Sequence, residues 1–152
     1  MDWLEYLLTA VRLALAVTAF FGKRWAYAAF IVLGLSYFPI SVGFQFDPKP
    51  CEWTFGLGLA VWSLTNVAHI VMFGLFFLMT LAQFRYDLNR RSFLWSLFAV
   101  VAMGLAVEFG EGLTGQHNCR MRDLIPNIAG GLIAASLVYA AAQLPRKDQV
   151  AG

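Results

Sequence analysis

The sequence predicts an all-α, polytopic bundle of five transmembrane helices. Three observations predict it: 60% of the 152 residues are hydrophobic, only 13% are charged, and the apolar residues fall in runs of roughly 20, the length that crosses the hydrocarbon core of a bilayer. Soluble domains contain about 45–50% apolar and about 25% charged residues. The composition therefore indicates an integral membrane protein. The sequence also has no basic tract of the kind that binds nucleic acid.

Four apolar runs are clear candidates for crossing the membrane: residues 25–44, 55–83, 93–113 and 124–144. A fifth run, residues 3–21, contains Glu5 and Arg12 and is expected either to span the membrane or to lie in its interface. An arginine at mid-helix costs about 2.5–3.5 kcal/mol on the insertion scale. An amphipathic helix that lies in the interface avoids that cost.

The short polar breaks between the runs differ in charge, and this difference predicts the orientation. The second break, residues 45–54, and the fourth, residues 114–123, are expected to face outward. Five spans then place the N-terminus outside and the C-terminus inside. The positive-inside rule places the basic breaks and the basic tail in the cytoplasm; they carry Lys23, Arg24, Arg85, Arg90, Arg91, Arg146 and Lys147.

Asn66 and His69 are polar residues within an apolar run. They are three residues apart and therefore share a helical face. One interpretation is that each makes an interhelical hydrogen bond that stabilises helix packing. For His69 the alternative is a proton carrier or a donor to a ligand head group, because a neutral imidazole can serve in either way.

Glu108 and Glu111 form a second polar pair near the outer end of their run. Two carboxylates this close in a medium of low dielectric constant either share a proton or lie beside a cation. Arg120 and Arg122 follow in the next loop. These four residues predict either a salt-bridged junction between loop and helix or a site for an anionic or amphipathic ligand.

Asp123 stands where the last helix should begin, and it is a good N-cap residue. Pro126 falls in the first turn, where it removes no helical hydrogen bond. Asn127 is followed by Gly130 and Gly131, and such small residues are typical of a close helix–helix contact. Asn127 is expected to belong either to that contact or to the polar cluster.

The two cysteines, Cys51 and Cys119, both lie in loops that the predicted topology places outside. That compartment is oxidising, so a disulfide there can form and persist. Two unrelated free thiols are the alternative.

No metal or cofactor is predicted. The sequence has no HExxH motif and no Cys/His cluster with the spacing of a metal site. The glycines at positions 110, 112 and 115 are not followed by the lysine and hydroxyl that a phosphate loop requires.

The polar residues resemble the pattern of the VanZ-like family of small bacterial membrane proteins. The chain is then one transmembrane domain, residues 1–152, with a VanZ-like core in residues 25–144 and an additional N-terminal helix in residues 1–24. Asn66 stands where lysine is usual in the family, and Glu111 stands where glutamine is usual. The resemblance rests on Asn66-x-x-His69-x-x-x-Phe73, Glu108-x-x-Glu111 and Asp123-x-x-x-Asn127-x-x-Gly130, with Arg120 or Arg122 as the loop arginine.

The resemblance implies a protein of the bacterial cytoplasmic membrane with a role in the cell envelope. The family takes its name from a protein associated with low-level resistance to the glycopeptide teicoplanin. On this interpretation an outward-facing polar cluster binds a membrane lipid, a glycopeptide or a cell-wall precursor; its residues are Asn66, His69, Glu108, Glu111, Arg120, Arg122, Asp123 and Asn127.

Two other functions are compatible with the sequence. The chain could be a small accessory subunit that packs against a larger membrane complex. It could instead be a membrane-embedded enzyme that acts on a lipid-linked substrate, with Glu108 or Glu111 as the general acid or base and His69 assisting.

Overall fold

The computed structural model describes residues 3–115 and 119–143, with the backbone alone for residues 3–7. No β-strand occurs in these ranges, so the predicted all-α class is confirmed. A 3-10 turn, Met121–Asp123, leads into the last helix. The α-helices in these ranges are α1 (Trp3–Phe20), α2 (Arg24–Leu35), α3 (Tyr37–Ser41), α4 (Leu57–Ser63), α5 (Val67–Gln83), α6 (Arg90–Thr114) and α7 (Leu124–Gln143).

Among the described residues, two helical stretches are long and apolar enough to cross a bilayer: Arg90–Thr114, with 25 residues, and Met121–Gln143, with 23 residues. α4 and α5 together are a third candidate, although they meet at a bend of 69°. α2 has only 12 residues and is shorter than the expected span. Residue 144, the predicted end of the last run, and the basic Arg146 and Lys147 lie outside the described residues.

Two of the helices that the sequence predicts to be continuous are interrupted, one between α2 and α3 and the other at residues 64–66. The prediction that Asn66 lies within a continuous helix is therefore wrong. It directly precedes α5, and His69 lies in the first turn of that helix. The Thr65 hydroxyl donates a hydrogen bond to the Trp62 carbonyl at 2.7 Å. Such local side-chain bonds compete with the backbone bonds that would continue a helix.

α5 and α7 lie side by side in parallel, and their backbones touch. A Cβ atom added at Gly130 would overlap the Ile70 carbonyl oxygen and lie 3.0 Å from the Gly74 nitrogen. The contact therefore admits no side chain at Gly130, as the small residues of the sequence predict. α6 connects the two helices and packs against both.

The buried apolar core lies where α5, α6 and α7 meet, around Phe77, Leu81 and Val100. α1 and α2 join it through Ala19 and Ala26, both fully buried. The outward faces of the helices stay apolar, which suits contact with lipid; they expose large side chains that include Val17, Val32, Leu75, Phe98, Leu132 and Leu137.

The loops gather at two ends of the bundle. At one end, the α1–α2 and α5–α6 connections are neighbours, since the Tyr86 hydroxyl donates to the Phe20 carbonyl at 3.1 Å. At the other end, the loop between α3 and α4 meets the loop between α6 and α7, because the Glu52 amide donates to the Cys119 carbonyl. The basic residues of the first end are Lys23, Arg24, Arg85, Arg90 and Arg91.

Replacing Gly130 with alanine should lower the free energy of unfolding by roughly 1–3 kcal/mol, because α5 and α7 must separate to admit the methyl group. The measurement is thermal unfolding of the detergent-solubilised protein. Gly58→Ala is the matched control, since a Cβ atom at Gly58 has nothing within 4 Å and alanine is the better helix former. Equal melting temperatures for the two variants would contradict the close contact.

Candidate functional site

One end of the bundle is closed by a segment that we call the disulfide cap, residues 49–52 and 119–123. Cys51 and Cys119 form a disulfide, with Cα atoms 4.7 Å apart; of the two alternatives that the sequence left open, the structure has this one. The Glu52 amide donates to the Cys119 carbonyl at 2.8 Å, and the Met121 amide donates to the Glu52 carbonyl at 3.1 Å. One covalent bond and a short backbone pairing therefore join the two loops.

Glu52 pairs with both arginines of the disulfide cap. Its Oε2 lies 3.7 Å from Arg120 Nε, and its Oε1 lies 3.4 Å from Arg122 Nη1. The Arg122 guanidinium also lies over the Trp62 ring, 5.7 Å from its centroid. The sequence did not mark Glu52 as a site residue. The position of Glu52 directly after Cys51 could have identified it, because a disulfide from Cys51 to Cys119 brings the Glu52 carboxylate close to the arginines of that loop.

The surroundings of Glu52 favour its charged form. A hydrogen bond donated by the Thr54 hydroxyl is the largest influence that lowers the pKa of the Glu52 carboxyl below its ordinary value of 4.5. The positive charges of Arg122 and Arg120 lower the pKa further. The carboxylate is therefore ionised at neutral pH, as its two ion pairs require.

Glu108 links α6 to the disulfide cap. It is only 1% exposed, and its Oε2 accepts a hydrogen bond from the Arg120 backbone amide at 2.8 Å. The side chains of Glu111, Asp123 and Arg120 are close enough to act on it electrostatically. Glu108 thus holds the arginine loop through its backbone, whereas Glu52 holds the guanidinium groups.

His69 and Asn127 form a polar contact between α5 and α7. His69 Nδ1 and Asn127 Oδ1 are 2.8 Å apart, and because a carboxamide oxygen can only accept, Nδ1 carries the hydrogen. Asn127 is fully buried, and its Nδ2 has no hydrogen-bond partner within the described part of the chain. The His69 ring also stacks on Phe73, with centroids 6.4 Å apart.

A cavity of about 560 Å³ lies between α1, α2, α3, α5 and α6. Most of its lining is aromatic or aliphatic, and the lining also includes a guanidinium, an imidazole and a carboxyl group, those of Arg12, His69 and Glu111. A large apolar cavity with a few polar groups is the usual form of a small-molecule site. The remaining lining residues are Phe30, Gly34, Tyr37, Phe38, Met72, Phe73, Phe76, Met103 and Val107.

Arg12 lines the cavity, although the sequence indicated only the free-energy cost of inserting this residue into a membrane. Its Nη2 donates to the Leu33 carbonyl at 3.3 Å, and its guanidinium lies 5.5 Å from the centroid of the Tyr37 ring. Its mid-helix position was the signal that could have identified it, because ionisable groups in membrane segments face the protein interior and mark functional sites.

The predicted polar cluster is thus divided between two places. His69 and Glu111 line the cavity, and Asn127 is bonded to His69. Asn66 lies at the break before α5, outside the lining of the cavity. The disulfide cap and its link to α6 take the rest of the predicted residues, which are Glu108, Arg120, Arg122 and Asp123.

Metal ligation finds no support in the residues that the structure describes. Among them, no three His, Cys, Asp or Glu side chains are grouped so that they could hold a metal ion.

Removing the disulfide with Cys51→Ser and Cys119→Ser should destabilise the protein by about 4 kcal/mol, from the entropy of the released loop. The loop is long because the cysteines are 68 residues apart in sequence. Thermal unfolding with and without a reductant measures the effect. The reductant should lower the melting temperature of the parent protein and leave the double variant unchanged. A parent protein that is indifferent to the reductant would contradict the prediction.

Acidification should loosen the disulfide cap. The folded-state pKa of Glu52 lies below its ordinary value of 4.5. Its contribution to stability is therefore complete above about pH 4.5 and is lost as the pH falls through the lower folded-state pKa. Melting temperatures measured from neutral to acidic pH should show this loss, and Glu52→Gln should flatten it. Asp87→Asn, at the other end of the bundle, is the control. If the melting temperature falls equally at acidic pH in Glu52→Gln and in the parent protein, this result would count against the ion pairs.

No family model, no curated protein and no solved structure matches this chain.

Proposed function

We propose that this chain is a VanZ-like protein of the bacterial cytoplasmic membrane that binds an amphipathic ligand in its cavity. The ligand would be a membrane lipid, the acyl tail of a glycopeptide or a lipid-linked cell-wall precursor. The observation that carries the ligand binding is the cavity of about 560 Å³, whose apolar walls also carry His69 and Glu111. The family is proposed on the pattern of polar residues in the sequence.

The dimensions and walls of the cavity suit such a ligand. Its volume lies within the range of roughly 300–1,000 Å³ that small-molecule sites occupy. Phe30, Phe76 and Met72 offer apolar surface to an acyl chain, and methionine adapts to chains of irregular shape. The ionisable groups of the same cavity offer contacts to a polar head group.

The cavity is close to the disulfide cap. Glu111 lines the cavity, and the next residue, Gly112, accepts a hydrogen bond from the Lys49 amide at 2.8 Å. A Cβ atom at Gly112 would lie 3.1 Å from Cys51 Sγ. One turn of α6 therefore connects the ligand site with the cross-linked loops.

The proposed orientation places the disulfide cap outside the cytoplasm. The opposite end carries the basic residues Lys23, Arg24, Arg90 and Arg91, which favour the cytoplasmic side under the positive-inside rule. A disulfide persists in an oxidising compartment. Both facts support a cavity that receives its ligand from the outer leaflet.

A cavity-filling variant tests the proposal. Gly34 lines the cavity, and among the described residues a Cβ atom there has one neighbour within 4 Å, Met103 Cε at 3.8 Å. Gly34→Leu should therefore fill the site and reduce ligand binding at least tenfold, which corresponds to about 1.4 kcal/mol. The measurement is native mass spectrometry of the purified protein titrated with 1-lauroylglycerol, and with teicoplanin beside the same glycopeptide without its acyl chain.

Gly58→Leu is the matched control, because Gly58 faces open space and does not line the cavity. It should bind as the parent protein does. Parent-like binding by Gly34→Leu, or no saturable binding of any of these probes to the parent, would refute the proposal.

A further inference from the structure

We infer that Arg12 determines the head group of this ligand and that the ligand is a phosphate-bearing amphiphile. The inference rests on the proposed function, since it assigns a chemical class to the molecule in the same cavity. It adds a residue of α1 to a site that the sequence places in the later helices alone.

Arg12 retains unused hydrogen-bonding capacity in an apolar setting. A guanidinium has five N–H groups, and the hydrogen bond of Arg12 to protein within the described ranges runs from Nη2 to the Leu33 carbonyl. Its Nε is buried, and no described residue offers it a hydrogen-bond partner. Donors buried in this way need acceptors, because an unpaired polar group away from water costs free energy.

The charge of Arg12 also calls for a counter-ion. In the described part of the chain, no carboxylate forms an ion pair with it. The Tyr37 ring covers one face of the guanidinium, which leaves the edge with its N–H groups to meet a ligand. An oxyanion fits that edge, because guanidinium binds phosphate and carboxylate oxygens through paired, charge-assisted hydrogen bonds.

Of Arg12, Arg120 and Arg122, Arg12 is the one that can reach a ligand in the cavity. Arg120 and Arg122 are engaged by Glu52 in the disulfide cap, and neither lines the cavity. The oxyanion of the ligand should therefore lie beside α1. Phosphate suits the site better than carboxylate, since it offers more acceptor oxygens to the unused N–H groups.

The apolar walls require the phosphate to carry a chain. Phe30, Phe76 and Met103 line the same cavity as Arg12, and an isolated phosphate would leave this surface without a partner. An acyl chain beside these side chains would bury apolar surface, which favours binding. The site is therefore built for both parts of one molecule.

Three probes separate these requirements. 1-Lauroyl lysophosphatidic acid and 1-lauroylglycerol share the chain and the glycerol and differ in the phosphate, whereas glycerol 3-phosphate has the head group without the chain. Native mass spectrometry of the purified full-length chain measures the affinity for each. The parent protein should bind the lysophosphatidic acid at least tenfold more tightly than either of the other two probes.

The variants assign this preference to Arg12. Arg12→Gln should reduce the ratio of the two lauroyl affinities to within about twofold, because the charge-assisted bonds to phosphate are gone. Arg12→Lys should keep part of the preference, since it retains a point charge without the paired donors. Arg91→Gln is the matched control. Arg91 is exposed in the first turn of α6 and does not line the cavity, so the substitution should leave the ratio unchanged.

The outcomes distinguish this inference from the proposed function. Equal binding of both lauroyl probes to the parent, or a preference that survives in Arg12→Gln, would overturn the role of Arg12 while ligand binding in the cavity stands. Equal affinity for glycerol 3-phosphate and the lysophosphatidic acid would overturn the amphiphile. Failure of both lauroyl probes to bind the parent would overturn the inference, and the proposed function falls with it if teicoplanin also fails to bind. The comparison of probes on the parent needs no variant to fold.

Discussion

The backbone contact of α5 with α7 at Gly130 is the constraint on which the polar groups of this bundle depend. Asn127 is fully buried and His69 is half-buried, and polar groups in such surroundings need hydrogen-bond partners. They meet at 2.8 Å because Gly130, three residues after Asn127, lets α7 approach the Ile70 carbonyl directly. A side chain at Gly130 would separate the helices and with them the two polar groups. The contact also holds His69 beside the cavity.

α6 divides its two glutamates between the disulfide cap and the cavity. Residues three apart on a helix lie about 60° apart around its axis, so Glu108 and Glu111 face neighbouring but different surroundings. Glu108 accepts from the Arg120 amide, whereas Glu111 lines the cavity. The last turns of α6 therefore connect the ligand site to the cross-linked loops.

The disulfide cap combines a covalent constraint with local charge balance. The bond between Cys51 and Cys119 removes freedom from the unfolded chain, and the adjacent Glu52 then pairs with Arg120 and Arg122 at 3.7 and 3.4 Å. Exposed ion pairs stabilise little by themselves. Here they hold Arg120 and Arg122 beside Glu52 in the disulfide cap, whereas Arg12 lines the cavity.

By itself the sequence determined the all-α membrane class and the close contact at Gly130, because composition and the spacing of small residues are local properties. For Cys51 and Cys119 it left two alternatives, a disulfide or two free thiols. Only the tertiary structure decided the break at Asn66, the ion pairs of Glu52 and the place of Arg12 in the cavity. Each of these depends on which distant segments meet: Glu52 faces an arginine 70 residues away, and Arg12 bonds to a carbonyl 21 residues away. No periodicity along the chain encodes such a meeting, since it follows from the packing of whole helices.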